Sequence, residues 1–499
     1  MMQFKAQKSA VIRTVLPFLL NQGPIYLIGG AVRDAILNKP SHDFDFVIGG
    51  DVLGTARKLA DSIHGAFYIL DREREYARVI IQDQDGLRNV LDFAPIYKND
   101  LNLDLHTRDF TINAIAWDIS AKENGIIDPC NGLGDLEQRV LRPCSLDCFA
   151  DDPVRIIRVA RFAVEYQLDI AEMVDEIVPA SIADLANVSE ERRRDEIFKI
   201  FENHNIDQSL GILLQYKVLE QILPEMHRLV GFQQHKPHIY DGWQHSMQAL
   251  RFCERMADFI LEGRQDFSLS NKMKDIYALI EEYIVGLKKG FSPPLVVDRS
   301  LRSVFLFAAV HHDIGKPLGE GVLDSGKMKF PSHAEIGADA VEKCANRMAL
   351  SRAETRWIKD FIQSHMLLHN IDLTDSEAHQ RLQLYRFFQE AKETSPFVAL
   401  FTLADLLATY GDQIQPERWQ AGLQRCRMVL NGWFNQYDVL VNPVPFLNGN
   451  EIQVEFAVKQ GKQLGEILEG LCQAQAAGEV RSKQEARSFI QVLLKEVKE

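Results

Sequence analysis

A change of hydrophobic period near residue 150 constrains the fold more than any other feature of this sequence. Before it, short β-branched or aromatic runs at Ile25–Ile28, Phe44–Ile48, Ala66–Leu70, Arg78–Gln82 and Asn89–Ala94 alternate with helical patterns, as in a module built on a sheet. After it, apolar residues recur at helical spacing, as in Ile156, Val159, Ala160, Ala163 and Val164. The reading is an α+β chain: a sheet-and-helix head, an all-α neck, a helical body and a helical tail. Loop-like breaks at Gly290-Phe-Ser-Pro-Pro, Leu318 to Lys329 and Asn442-Pro-Val-Pro, with roughly 100 to 200 residues per domain, give expected segments of 1–140, 141–230, 231–410 and 411–499.

Composition narrows the function. An apolar share of 46% excludes wholesale disorder, and 70 acidic against 56 basic side chains leave a net charge of −14, which argues against indiscriminate nucleic-acid binding. The apolar stretch Val11 to Leu20 contains Arg13 and Pro17 and is shorter than the roughly 18 residues of a membrane span. It reads as an amphipathic helix, with no membrane partner and no secretion signal, so the expected location is cytoplasmic. Seven scattered cysteines without a Cys-x-x-Cys pair give no disulfide or zinc framework.

The run Tyr26-Leu-Ile-Gly-Gly-Ala-Val-Arg-Asp reads as strand, glycine turn and helix. Backbone N–H groups at Gly29 and Gly30 can face phosphate oxygens there, with Arg33 adding a charge-assisted bond. Farther on, Asp43 and Asp45 alternate with Phe44 and Phe46. On a strand both carboxylates share one face and both rings the other. Alone, the pattern also fits a solvated edge strand; coupled to the glycine turn, it favours a divalent cation between repelling carboxylates. Asp92, in another strand-like run, is the third acid, and on an adjacent strand it would complete a site for two Mg²⁺ ions suited to phosphoryl transfer.

These residues resemble the head of the class II tRNA nucleotidyltransferase and poly(A) polymerase family. Further matches follow in family order: Arg108-Asp109-Phe110-Thr111-Ile112-Asn113-Ala114, Asp128-Pro129 through Asp135-Leu136, Asp151-Asp152-Pro153-Val154-Arg155, and Glu191-Arg192 through Glu196. The resemblance implies a catalytic head over 1–140, a helical neck with a base-reading template over 141–230, and transfer of nucleotides from CTP and ATP to the 3′ end of tRNA. It also implies that Arg108 and Asn113 help seat the triphosphate and ribose. Asp109-Phe110-Thr111 equally fits an ordinary N-cap before a helix.

In the fourth motif Pro153 suits a first helical position, with Asp152 near the cap and Arg155 projecting from the same side. A carboxylate accepts and a guanidinium donates, so the pair can take the amino and ring-acceptor edges of cytosine and adenine while leaving uracil and guanine mismatched. Arg158 and Arg161 continue that face, where they could meet triphosphate or tRNA backbone, with surface solvation an equal reading for Arg161. The chain departs from the family pattern at Asp151, where Glu is usual, and at Thr107, where a basic residue often stands. Asp71 to Glu75 fall where the family has a mobile loop linked to the switch from C to A addition. The mixed charge of Phe67 to Val79 favours the tRNA enzyme over a poly(A) polymerase.

A second constellation lies on the helical part. His312-Asp313 ends an apolar run, and His245, His333, His365 and Asp405 are its candidate partners. Imidazoles with carboxylates on helix faces suit a divalent transition metal or Mg²⁺. The set resembles the HD phosphohydrolase superfamily: His245, His312-Asp313 and Asp405 match its basic pattern, His333 and His365 the extra ligands of its binuclear members, and Lys316 a lysine often found there. An HD-type domain over 231–410 with phosphohydrolase activity is implied, with a helical body that mainly grips tRNA as the rival. The long spacing from His245 to His312 points to an insertion around 260–298, with an amphipathic helix Ile276 to Leu287. The tail, 411–499, resembles tRNA-holding helices.

The sequence therefore predicts CCA addition by Mg²⁺-dependent nucleotidyl transfer, with phosphohydrolase activity in the HD domain. Its alternatives are A-only or CC-only addition, a poly(A) polymerase, or an HD phosphohydrolase with a non-catalytic RNA-binding head. Nothing in it fixes an oligomeric state.

Overall fold

The computed structural model describes residues 9–82, 86–121, 125–265, 270–292, 294–297, 299–324 and 327–496. Two compact units divide the chain. The first holds residues 1–188 with 215–218, and the second 189–214 with 219–499; the boundary falls inside the segment expected as the neck.

The first unit opens with helix α1 (Ala10–Leu19), started by Ser9, whose side chain accepts from the Ile12 N–H. Seven strands follow in one sheet: β1 (Ile25–Ile28), β2 (Asp43–Ile48), β3 (Ala66–Asp71), β4 (Tyr76–Gln82), β5 (Arg88–Pro95), β6 (Ala116–Asp118) and β7 (Ile126–Ile127). Helix α2 (Gly30–Ile36) joins β1 to β2, and α3 (Val52–Ile63) joins β2 to β3. The spatial order is β3-β4-β5-β2-β1-β6-β7, so the strand bearing Asp43 and Asp45 is central. Only β2 and β5 pair in parallel; the other neighbours are antiparallel.

Alternation along β2 does what period two requires. Phe44 and Phe46 are 3% and 2% exposed, and Phe46 stacks on Phe93 of β5 at 5.2 Å, while Asp43 and Asp45 open to the other face. The five strand runs read from sequence are present with small shifts at their ends; β6 and β7 had no comparable signal.

The second unit is helical apart from a short hairpin, Val322–Asp324 with Lys327–Lys329, inside the segment expected as a loop. Its framework includes helices Gly242–Glu262, Leu301–Val310, His333–Arg347, Arg352–Ser364 and Ser395–Tyr410. Helix starts follow local chemistry: Asp241 accepts from Gln244 N–H at 2.7 Å, and Ser351 with Glu354 forms a capping box. Phe305, Phe361, Phe397 and Phe401 pack edge-on or tilted between these helices. The tail packs its own apolar cluster around Leu447, Ile452, Leu471 and Ile490.

The expected single helix over Ile276 to Leu287 is two, Asn271–Glu282 and Ile284–Phe291, because Tyr283 between them leaves helical geometry at φ −125°, ψ 14°. Parts of the expected insertion, residues 266–269, 293 and 298, lie outside the described residues. Among the described residues no helix is long and apolar enough to cross a membrane, and the seven cysteines are free thiols.

Candidate active sites

In the first unit, β1 ends at Gly29, whose φ of +72° and ψ of −136° suit glycine alone. A side chain there would also crowd the site, since a Cβ would lie 3.4 Å from an Arg108 guanidinium nitrogen and 3.6 Å from Asp45 Oδ2. The bare turn, the central carboxylate and Arg108 thus converge. Gly30 begins α2.

Three side chains line up across neighbouring strands: Arg78 of β4 opposite Asp92 of β5, and Asp92 beside Asp45 of β2. Desolvation pushes the Asp45 carboxyl above its usual range, the carboxylates of Asp92 and Asp43 add to this, and Arg108 opposes it. Such a group gains from a divalent cation, and Asp43 and Asp45 on one face supply hard oxygen ligands for one. The expected adjacency of Asp92 is present, but its two oxygens accept Arg78 Nε and Nη2, each at 2.8 Å. Asp92 is therefore a paired acid in this arrangement rather than a free third ligand. Arg78 was missed in the sequence, although alternation along β4 puts it on the acidic face.

Two further expectations change. Arg33 turns inward: it is 5% exposed, donates to Asp34 at 2.9 Å, to Asn113 Oδ1 and to the Tyr166 hydroxyl, and lies 4.1 Å from the Tyr166 ring centroid. In this arrangement it braces the glycine turn, its guanidinium held by Asp34, Asn113 and Tyr166. Asn113 is likewise buried, accepting from Arg33 and donating to Asp109 at 3.1 Å, so it supports the wall instead of touching a ribose. Asp109 does not cap a regular helix; its Oδ1 accepts from Phe110 N–H and Asn113, and Arg158 pairs with its Oδ2 at 2.9 Å. Burial resists the charge on Asp109, but Arg158 and these hydrogen bonds hold its pKa below the usual range.

A cleft of about 970 Å³ opens beside this row, lined by Asp45, Asp92, Arg108 and Arg155 and, from the β3–β4 turn, by Arg74 and Tyr76. Asp152 and Arg155 flank the start of helix Arg155–Glu165, with Asp152 Oδ2 3.9 Å from Arg155 Nε. Pro153 stands two residues before that helix in a tighter turn, where Arg155 N–H donates to the Asp152 carbonyl at 3.1 Å. The Arg155 fork is anchored on two carbonyls, Cys148 at 3.2 Å and Thr107 at 2.9 Å. Thr107, the departure from the family pattern, thus serves through its backbone. Arg161 pairs with Glu165 at 3.3 Å.

In the second unit the expected histidines and aspartates come together from five segments. His245, His312, Asp313 and His365 are at most 1% exposed, His333 8%. His245 Nε2 lies 3.2 Å from His312 Nε2 and 3.0 Å from Asp405 Oδ1. His333 Nε2 lies 3.1 Å from His365 Nε2 and 3.5 Å from Asp313 Oδ1. Two ligand nests result, His245–His312–Asp313 and Asp313–His333–His365, sharing Asp313.

The tautomers follow from the other ring nitrogens. Nδ1 of His312, His333 and His365 sits 2.9, 2.6 and 2.6 Å from the carbonyls of Ala309, Phe330 and Ile362. A carbonyl only accepts, so each Nδ1 carries a proton; burial keeps His333 and His365 neutral, so their Nε2 atoms present lone pairs, whereas at His312 burial is outweighed by Asp313 and Asp405, which draw it towards its protonated form. The facing Nε2 atoms of His333 and His365 both carry lone pairs and cannot bond each other; a cation between them would satisfy both, and the Nδ1 contacts are the outer shell a ligating histidine needs. Burial lowers His365 to about 3, keeping it neutral. Burial also opposes ionisation of Asp313, but His312 and Lys316 hold its carboxyl well below the usual range. The residues fit divalent cations, which the two groups that share Asp313 would hold.

Residues 25–142 match the family described as poly A polymerase head domain, and 167–229 the one described as probable RNA and SrmB-binding site of polymerase A. An A-adding tRNA nucleotidyltransferase of Deinococcus radiodurans is 29% identical over 93% of this chain and 94% of its own. A multifunctional CCA protein of Mannheimia succiniciproducens is 35% identical over 47% of this chain and 58% of its own. In fold, the chain resembles a CCA-adding enzyme solved in complex with ATP, with a TM-score of 0.61 at 20% identity over 99% of this chain and 100% of that one.

Proposed function

We propose that this enzyme, a tRNA nucleotidyltransferase, adds C, C and A in turn to the 3′ end of tRNA from CTP and ATP. The observation that carries the reading is the convergence of Asp45, Arg108 and the bare Gly29 backbone at one end of the cleft that Arg155 lines. The order of parts is a catalytic head over 1–140, a template neck over 141–230, an HD-type body over 231–410 and a tRNA-holding tail over 411–499, working in the cytoplasm. A divalent cation on Asp43 and Asp45, Mg²⁺ in this reading, would lower the pKa of the RNA 3′ hydroxyl and offset charge on the departing group.

In the transfer, the 3′ oxygen of the RNA bonds to the α-phosphorus, the bond from that phosphorus to the bridging oxygen breaks, and pyrophosphate leaves with the hydroxyl proton released to solvent. Arg108 supplies positive charge beside the triphosphate. Arg33, Asn113, Asp109 and Arg158 hold the wall behind it. Asp152 accepts from the exocyclic amino group that cytosine and adenine share. Arg155 has five N–H donors, and its two carbonyl bonds fix the fork while leaving others for the base edge.

A-only addition is the second reading, supported by the relative from Deinococcus radiodurans, which aligns over nearly the whole chain. One assay separates the two: tRNAs ending before C, after C and after CC are offered labelled CTP or ATP, and products are resolved by length. C addition to the shortest tRNA followed by A supports full CCA synthesis; A on the CC end alone supports the second reading and sinks the first.

The second unit is proposed to hold a phosphohydrolase acting on phosphorylated or 2′,3′-cyclic RNA ends, supported by the paired ligand nests around Asp313. Bound cations would activate water and polarise the phosphoryl oxygen. Loss of 2′,3′-cyclic phosphate cleavage in His312→Ala, with nucleotide addition unchanged, is the expected result. Failure of the wild type to cleave with Mn²⁺, Ni²⁺, Fe²⁺ or Mg²⁺ would remove this activity.

A further inference from the structure

The segment leading into helix Gly242–Glu262 places two polar side chains against the metal centre. Gln234 Oε1 accepts from Lys316 Nζ at 2.8 Å, and the same ammonium lies 2.6 Å from Asp313 Oδ2. With Oε1 committed to Lys316, the amide orientation is fixed and its NH₂ group points away from the lysine. That Nε2 is shut from solvent and meets no acceptor among the described residues. His238 stands edge-on to His245, ring centroids 4.9 Å apart, and its buried Nδ1 also lacks a partner.

A buried donor without an acceptor is destabilising. Here one such donor, Gln234 Nε2, lies beside an ammonium, and the unpartnered His238 Nδ1, a donor in one tautomer, lies beside the ligand nests. The nearby carboxylates are engaged, Asp313 with Lys316 and His312, and Asp405 with His245. A ligand can bring the missing acceptor, and next to an ammonium and the ligand nests an anion rich in oxygens fits best.

We propose that Gln234, His238 and Lys316 form a subsite for the non-bridging oxygens of a phosphoryl group presented to the metal centre, as carried by a phosphate monoester or a 2′,3′-cyclic phosphodiester at an RNA end. Gln234 donates through Nε2, Lys316 through its ammonium, and His238 through Nδ1–H in that tautomer. The substrate class rests on the phosphohydrolase reading above; the binding of phosphate does not.

The test is calorimetric titration of inorganic phosphate into the full chain loaded with Mn²⁺, with metal content measured on each sample. Gln234→Met keeps the length and removes the donor, and His238→Phe keeps the ring. Each is expected to retain the metal and to weaken phosphate binding about tenfold, the worth of one hydrogen bond to a charged group. On a 2′,3′-cyclic nucleotide each raises KM more than it lowers kcat. Unchanged phosphate affinity in both variants, loss of metal in both, or no phosphate binding by the loaded wild type would overturn the subsite. Phosphate binding that depends on Gln234 in an enzyme that cleaves no cyclic end would instead keep the subsite and refute the hydrolase reading.

Discussion

Arg78 and Asp92 face each other across β4 and β5 and are joined by two contacts of 2.8 Å, one to each carboxylate oxygen. The pair sits directly beside Asp45 in the sheet register, so it bears on how many carboxylates are open to a cation. Among the described residues Asp45 has no such two-contact partner and Asp92 does. Asp45→Asn is therefore expected to lower nucleotide addition by at least about 10³-fold, the scale of losing charge stabilisation in phosphoryl transfer. Asp92→Asn is expected to cost only about tenfold, through slackening of the row. Single-turnover extension of a CC-ended tRNA with labelled ATP measures both, and equal losses would make Asp92 a direct ligand.

Gly315 and His333 set the second site in the same way, by contact. A Cβ on Gly315 would overlap the His333 carbonyl and stand 2.6 Å from the Gly337 N–H. The turn after His312-Asp313 and the helix carrying His333 approach this closely only because Gly315 has no side chain. Gly315→Ala has no φ problem, so its effect is pure displacement, typically about 1–3 kcal/mol of overpacking. The expected outcome is loss of about one bound metal per chain by elemental analysis, with nucleotide addition intact. Full metal content in the variant would show that His333 is not a ligand.

The sequence carried the fold well where a period is strict. Alternation fixed β2 to within one residue because every Phe must face the core and every Asp must not, and the partners of His312-Asp313 were legible as residue types before their helices were placed. It carried less where the decisive contact is long-range. Arg78 meets Asp92 across 14 positions, and Arg33 meets Tyr166 across 133; neither pairing leaves a local pattern. Arg33 was read as a phosphate ligand because an arginine after a glycine turn has that option, and only the fold shows its guanidinium held by Asp34, Asn113 and Tyr166. The break at Tyr283 was hidden because apolar spacing continues through it.

The Asp152–Arg155 pair invites a specificity test that leaves the reacting atoms untouched. Asn in place of Asp152 offers a donor as well as an acceptor, so a uracil carbonyl no longer meets only a carboxylate. Asp152→Asn is expected to reduce discrimination of CTP over UTP by about 10- to 100-fold in kcat/KM, mostly by admitting UTP. Competition between labelled CTP and UTP on a tRNA lacking its terminal CCA reads this directly. If CTP and UTP incorporation fall in parallel, Asp152 holds the helix start instead of reading the base.

A pH dependence of folding is expected from Glu254, on the same helix as His245. It is 7% exposed, accepts from Asn205 N–H at 2.6 Å and lies 3.7 Å from the Arg302 guanidinium. Burial outweighs Arg302 and pushes its pKa up to about 7. The folded state thus holds the Glu254 proton more tightly than the unfolded chain, whose carboxyl has an ordinary pKa near ~4.3. That contribution to stability is fully present below the unfolded value and is lost as pH rises through about 7. Glu254→Gln keeps the acceptor for Asn205 and removes the titration. Wild type is expected to lose about 3 kcal/mol relative to the variant between pH 4.5 and pH 8, at 1.36 kcal/mol per unit. Urea unfolding of both proteins across that range, followed by helical circular dichroism, gives the difference. A constant difference would mean that Glu254 is already charged in the fold at pH 5, with Arg302 as its full partner.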